Sequence, residues 1–138
     1  MRAVFDPNVL VSALLAPTGA PAELILRWLA GDFELVVSEQ LLEELERTLA
    51  YPKIRRRISA ADADAFVALL RDATEVASDP LAPPRRSPDP GDDYLLALAE
   101  REGAFLVSGD QHVLSLADDF PVRTPRAFLD GLKGGARE

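Results

Sequence analysis

The stretch Arg2-Ala3-Val4-Phe5-Asp6-Pro7-Asn8-Val9-Leu10 decides how this chain is read. Three apolar residues run into an acid, then a proline, an amide and further apolar residues. The pattern predicts a short buried strand from Arg2 to Asp6 and a helix start directly after it. Pro7 suits the first turn of a helix, where its missing N–H costs nothing. In an open α/β sheet, ligands bind just outside the carboxyl ends of the strands. Asp6 falls there, and the reading turns on which other residues return to that edge.

Outward from this stretch, residues 8–15 form the first helix, with Val9, Leu10, Ala13 and Leu14 apolar, and Pro17-Thr18-Gly19 breaks it. Residues 21–30 follow as a second helix whose Leu24, Ile25, Trp28 and Leu29 share one buried face. Phe33 to Val37 is the second strand. Ser38 caps a helix over 39–50, with Leu41, Leu42, Leu45 and Leu49 inward and Glu39, Glu43, Glu44, Glu46 and Arg47 on its polar side. Tyr51-Pro52 stops it, and Lys53-Ile54-Arg55-Arg56-Arg57 is the only dense basic run. Ser59-Ala60-Ala61-Asp62 matches a capping box before Ala63, Phe66, Val67 and Leu70 at helical spacing.

Thr74 to Ala77 reads as a third strand. Residues 78–91 hold five prolines and a glycine, which forbid regular structure and mark a long loop within one domain. Asp92-Asp93 opens a helix to about Glu102, with Leu95, Leu96, Leu98 and Ala99 inward and Gly103 ending it. Ala104-Phe105-Leu106-Val107 is apolar throughout, as a central parallel strand is, and Ser108-Gly109-Asp110 follows at its end. A short helix over 112–117, an edge strand over 121–123 and a last helix from Thr124-Pro125 to about Lys133 complete the chain. Residues 134–138 are expected to fray.

This alternation predicts an α/β fold: one domain over 1–133, with a central parallel sheet of about five strands and helices on both faces. A length of 138 residues suffices for one core and not comfortably for two. The absence of cysteine excludes disulfides and thiolate metal sites, and fits a reducing, cytoplasmic compartment. A single histidine excludes multi-histidine zinc sites, so any metal would have oxygen ligands. No apolar run approaches the ~18 residues of a membrane span, and no leader precedes the first strand, so neither membrane nor export is expected. A net charge of −8 argues against a nucleic-acid binder unless the acids gather in one pocket and the basic residues elsewhere.

The topology does gather acids. Asp6 follows strand one, Asp110 follows the strand at 104–107, and Asp92 heads a helix entered from strand three. Glu43, Glu44 and Glu46 lie on the helix entered from strand two, and spacing alone does not choose among them. Two carboxylates ~4 Å apart repel by about 4 kcal/mol at an effective dielectric of 20. Such a cluster raises its pKa values or takes a cation, and carboxylates with water are the natural shell of Mg²⁺ or Mn²⁺. Asn8 and Ser108 could hydrogen-bond a carboxylate or a phosphate, and Ser12, one turn past Asn8, could line the same crevice. Each acid also has a plainer reading as a helix cap, Asp89 and Asp93 included. His112 reads as a surface residue and Trp28 as core.

At these residues the chain resembles the PIN domain family of metal-dependent ribonucleases. Phe5-Asp6-Pro7-Asn8-Val9-Leu10 is similar to its opening Asp-Thr-Asn motif, and Ser38 to Leu45 to its second motif, whose acid falls six residues after the serine. The resemblance therefore selects Glu44. Asp92 through Ala99 and Val107-Ser108-Gly109-Asp110 are similar to the third and fourth motifs. The closing Thr-Pro-Arg-Ala-Phe-Leu is similar to a subgroup regarded as toxins of toxin–antitoxin pairs. Pro7 departs from the usual threonine, and His112 stands where many members carry another acid.

The resemblance implies a Mg²⁺- or Mn²⁺-dependent endoribonuclease acting on RNA. Asp6, Glu44, Asp92 and Asp110 would be its catalytic and metal-binding residues, supported by Asn8, Ser12, Asp93 and Ser108. It further implies a homodimer and a cognate antitoxin. Lys53, Arg55, Arg56, Arg57, Arg85 and Arg86 are candidates for RNA phosphate contact. Asp6→Ala is expected to abolish cleavage without unfolding. Two other classes stand beside this. One is a PIN-fold module that binds RNA or protein without cleaving, which Pro7 and His112 motivate. The other is a phosphotransfer receiver, disfavoured because strand one ends in a single acid and no lysine lies between Lys53 and Lys133.

Overall fold

The computed structural model describes residues 1–135, and among these five strands and eight helices alternate. The order is β1 (Arg2–Phe5), α1 (Pro7–Leu15), α2 (Ala20–Leu29), β2 (Glu34–Ser38), α3 (Glu39–Leu49), α4 (Pro52–Arg55), α5 (Ala60–Ala73) and β3 (Val76–Ala77). A 3₁₀ turn (Pro90–Asp92) then leads into α6 (Asp93–Glu102), β4 (Phe105–Val107), α7 (Gln111–Leu114), β5 (Val122–Arg123) and α8 (Pro125–Gly135).

All strand pairs are parallel, in the order β3-β2-β1-β4-β5. Ala3 lies beside Leu35 and Phe105, and Val4 beside Val36 and Leu106. The strands step away from β1 on one side as far as β3, then resume on its other side with β4. That reversal makes the gap between β1 and β4 the switch point, where open α/β sheets place their ligands. Right-handed crossovers put α6 on the face opposite the helices that join β1 to β3. α6 packs on β1 and β4, while α1 packs on α2 and α3, and α2 on α8.

The apolar strands explain this burial. Ala3, Val4, Phe5, Val36, Val37, Leu106 and Val107 are buried together. Phe128 of α8 meets Phe33 edge-on at 5.2 Å and Phe105 at 5.8 Å between ring centroids, which fastens the last helix over the sheet. The caps form as read: Ser38, Ser59 and Thr124 accept the N–H groups of Leu41, Asp62 and Ala127. Gly103 takes the left-handed conformation (φ 62°) that ends α6.

Several boundaries differ from expectation, and a short helix, α4, forms where only a basic run was read. β1 stops at Phe5 because Asp6 already serves as the N-cap of α1. β3 is two residues long, and the Thr74 hydroxyl still bonds the Leu70 carbonyl of the preceding helix at 2.7 Å. α7 covers only Gln111–Leu114. α8 continues through Gly135, so the expected fraying from residue 134 does not begin there; residues 136–138 lie outside the described residues. Leu29, expected inward, is 52% exposed. The buried stripe of α2 runs Ala20, Leu24, Trp28, and Leu29 stands one position past it. Among the described residues, no single helix is long and apolar enough to cross a membrane.

Candidate functional site

Asp6 stands at the carboxyl end of β1, and its backbone N–H donates to the Val107 carbonyl of β4 at 2.9 Å. Its side chain is fixed on both oxygens. Oδ1 accepts the Asn8 N–H at 3.1 Å, and Oδ2 accepts the Ser108 hydroxyl at 3.0 Å. The Ser108 oxygen in turn accepts the Asp110 N–H at 3.0 Å. Asp110 caps α7, its Oδ1 accepting the His112 N–H at 2.7 Å. One chain of hydrogen bonds thus locks the ends of β1 and β4 across the switch point. Asp6 and Asp110 are both caps, as the plainer reading held, and both also face the shared edge.

Asp92 is different. It precedes α6 with no side-chain cap bond, and its buried Oδ2 has no hydrogen-bond partner. Burial pushes its carboxyl up to about 7, and the charges of Asp6, Asp110, Asp89 and Glu44 add to the rise. Those contributions put Asp6, Glu44 and Asp110 within electrostatic reach of one carboxylate. Asp6, 4% exposed, is also raised above its ordinary value. Burial is the main cause, the bonds from Asn8 and Ser108 oppose it, and Asp110 adds to it. Glu44 is half-buried while Glu43 and Glu46 are exposed, so the helix itself separates the three. The hydroxyl of Tyr94 donates to Glu44 Oε2. Burial, then Glu44, pushes the Tyr94 phenol upward, which keeps it a donor.

The supporting residues divide. Ser108 is buried within the site. Asn8 and Ser12 are exposed and line a cleft of about 310 Å³ with Val9, Pro21, Gly109, Asp110 and Pro125. Asp93 has another task. Its carboxyl, 2% exposed, accepts the N–H groups of Arg86 (3.1 Å) and Ser87 (2.8 Å), with Arg85 Nε 3.8 Å away. It latches the proline-rich loop onto α6. We expect Asp93→Ala to lower stability by roughly 2–3 kcal/mol, the scale of hydrogen bonds to a charged group. Urea unfolding measures this, and an unchanged midpoint would remove the latch.

The basic candidates divide as well. Lys53, Arg55 and Arg56 lie on or next to α4, with Lys53 and Arg56 exposed and Arg55 half-buried. Arg57 donates to the Leu15 carbonyl at 3.0 Å, closing the end of α1. Arg85 is exposed. Arg86 is committed to structure: it pairs with Glu100 at 3.0 Å and lies over the Phe120 ring at 5.2 Å. His112 is exposed, as read.

Two residues near the site escaped the sequence reading. Tyr94 sits among apolar neighbours in α6, and a buried tyrosine beside an acid motif is itself a signal that its hydroxyl has a partner. Asp79, just past β3, accepts the Gln40 N–H at 3.0 Å and so caps α3, the helix that carries Glu44. A serine-aspartate pair at a strand's end was the available cue.

The donor set is all oxygen, and the orphaned Asp92 Oδ2 is the kind of buried acceptor that a cation satisfies. Asp6, Glu44, Asp92 and Asp110 fit a hard divalent ion by chemistry. Among the described residues, no three such side chains are already drawn into a closed ligand group. Glu44 leans on Tyr94, and Asp110 holds its cap.

A parallel sheet with acids from separate elements at its switch point defines an α/β domain with an acidic crevice. The PIN domain family model matches residues 2–112, and the chain belongs to that family. It is also 22% identical to an uncharacterized protein of Methanocaldococcus jannaschii, over 94% of this chain and 90% of that protein.

Proposed function

We propose that the protein is a Mg²⁺- or Mn²⁺-dependent endoribonuclease and the toxin of a type II toxin–antitoxin pair. One observation carries the catalytic part: the partnerless, buried Oδ2 of Asp92 within reach of the charges of Asp6, Glu44 and Asp110. These four carboxylates would hold the ion. When bound, such an ion lowers the pKa of its water and stabilises charge on a phosphodiester. Asp6 contributes a ligand whose direction Asn8 and Ser108 fix in advance. Asp92 must give up the proton on its carboxyl to serve, so affinity rises with pH through about 7. The cleft beside Asp110 would take the RNA strand, with the Asn8 amide and Ser12 hydroxyl as contacts. Exposed Lys53 and Arg56 would meet phosphates further out.

The toxin reading draws on the resemblance of the closing segment and on charge. A net −8 favours an antitoxin that inserts a basic side chain into the acid crevice. The exposed Leu26 and Leu29 of α2 offer apolar surface for a homodimer.

A structured RNA pool and DNA of matching sequence, each with Mn²⁺, Mg²⁺ or EDTA, test the activity. RNA is expected to be cut with either metal and spared in EDTA, and DNA spared throughout. Intact RNA in both metals would overturn the ribonuclease. It would favour a second reading, a PIN-fold module that holds RNA or a protein without cutting. Pro7 supports that reading, since it offers neither hydroxyl nor N–H next to Asp6.

A further inference from the structure

α6 turns Leu95, Leu96, Leu98 and Ala99 into the core. Tyr94 is buried with them at 3% exposed, and it alone of these carries a hydroxyl. A core position of this kind is filled at least risk by phenylalanine, because a buried hydroxyl needs a partner. The hydroxyl has one: it reaches from α6 to Glu44 Oε2 on α3. The contact crosses between the two elements that bring Asp92 and Glu44 to the crevice.

We infer that Tyr94 is a positioning residue that fixes Glu44 as a one-oxygen ligand and so sets the site's preference for a small octahedral cation over Ca²⁺. This rests on the cation site proposed above. A glutamate side chain has many rotamers, and one held before the ion arrives loses less freedom on binding. With one lone pair of Oε2 taken by the phenol, Oε1 is the freer oxygen and a bidentate grip on one ion is disfavoured. Ca²⁺ takes six to eight oxygens and favours bidentate carboxylates, whereas Mg²⁺ demands an octahedron and keeps several waters. A carboxylate that grips through one oxygen therefore suits the smaller ion. Partners that orient metal ligands typically carry about 10–100-fold in affinity.

The test is Mn²⁺ and Ca²⁺ calorimetry on the full chain, comparing wild type, Tyr94→Phe, Glu44→Gln and the double variant. Tyr94→Phe keeps the ring packing and removes only the donor. It is expected to weaken Mn²⁺ by roughly 10–100-fold and Ca²⁺ by less, lowering the Mn²⁺/Ca²⁺ preference about tenfold. In the Glu44→Gln background the same change should have no further effect on that ratio. A purely structural tyrosine would leave the ratio alone, so a wild-type ratio in Tyr94→Phe overturns the inference. A loss of preference that persists undiminished in the Glu44→Gln background also overturns it. Should Tyr94→Phe not fold, Glu44→Asp draws the carboxylate back from the phenol with the core intact; it must lose the preference, and a wild-type ratio there is equally decisive. Wild type that binds no Mn²⁺ removes the cation site and this inference together. Binding with unchanged preference removes this inference alone.

Discussion

Asp6→Asn will lower metal-dependent RNA cleavage by roughly 10³-fold, the upper range for deleting one preorganised electrostatic group, and will leave the fold in place. The choice of asparagine follows from what Asp6 does. Its Oδ1 caps α1 through the Asn8 N–H, and its Oδ2 holds the Ser108 hydroxyl. Alanine would remove both acceptors and add about 1 kcal/mol or more of lost capping to the lost charge. Asparagine keeps the Oδ1 acceptor and can donate to the serine oxygen, so the change isolates the negative charge. Because that charge is buried and unfavourable there, the metal-free variant should melt no lower than wild type. Cleavage assays beside thermal melts in EDTA read both parts. Near-wild-type cleavage by a folded Asp6→Asn protein would remove Asp6 from the site.

The second large effect is a reversal of stability with conditions. Asp92 has a folded pKa of about 7 against an ordinary 3.8. A raised pKa means that the folded state binds the proton more tightly than the unfolded chain. The stability it contributes is full below 3.8 and is lost as pH rises through about 7. Above that pH, the ionised carboxylate opposes folding of the metal-free protein. Asp92 is only half-buried, and solvent screening reduces the penalty to roughly 1–2 kcal/mol. Asp92→Asn removes it and sets an N–H donor among acceptors. In EDTA above pH 7, the variant should therefore melt several degrees higher than wild type, and the gain should vanish near pH 4. Saturating Mn²⁺ should reverse the order, since ligand at about 100 times its Kd adds about 2.7 kcal/mol to wild type only. A variant less stable than wild type in EDTA, and equally helped by Mn²⁺, would contradict the assignment.

The fold was legible because its signals are local and strong. Periodicity marked the buried faces of α3 and α5, and Ser38, Ser59, Thr124 and Gly103 marked their element ends by capping chemistry that needs no tertiary context. The strand runs at Ala3–Phe5 and Phe105–Val107 are apolar on both faces, which only a covered parallel sheet tolerates. What failed depended on packing. Leu29 follows the helical pattern yet turns outward, because Ala20, Leu24 and Trp28 fill the interface first.

The candidate site was legible in position and less so in detail. Strand ends announced Asp6 and Asp110, and order along the chain brought Asp92 to the same edge. The division of labour between neighbours was not visible. Asp92 and Asp93 are adjacent in sequence and each has a buried Oδ2 without a hydrogen-bond partner, yet Asp92 lies among the charges of Asp6, Glu44 and Asp110 while Asp93 latches a loop through the Arg86 and Ser87 amides. Likewise Arg86 looked like a free cation and is held by Glu100 and Phe120. Such choices are settled by which backbone amides a folded loop presents. Glu44 needed the resemblance to single it out in sequence; on α3 it alone of Glu43, Glu44 and Glu46 is half-buried.

The most direct test of the cation site is a Mn²⁺ titration of the purified protein followed by electron paramagnetic resonance, at a pH above the Asp92 value of about 7. Our account predicts that wild type quenches the free Mn²⁺ signal stoichiometrically and that Asp6→Asn and Asp92→Asn each release it. A free-ion signal that wild-type protein leaves undiminished would contradict the account.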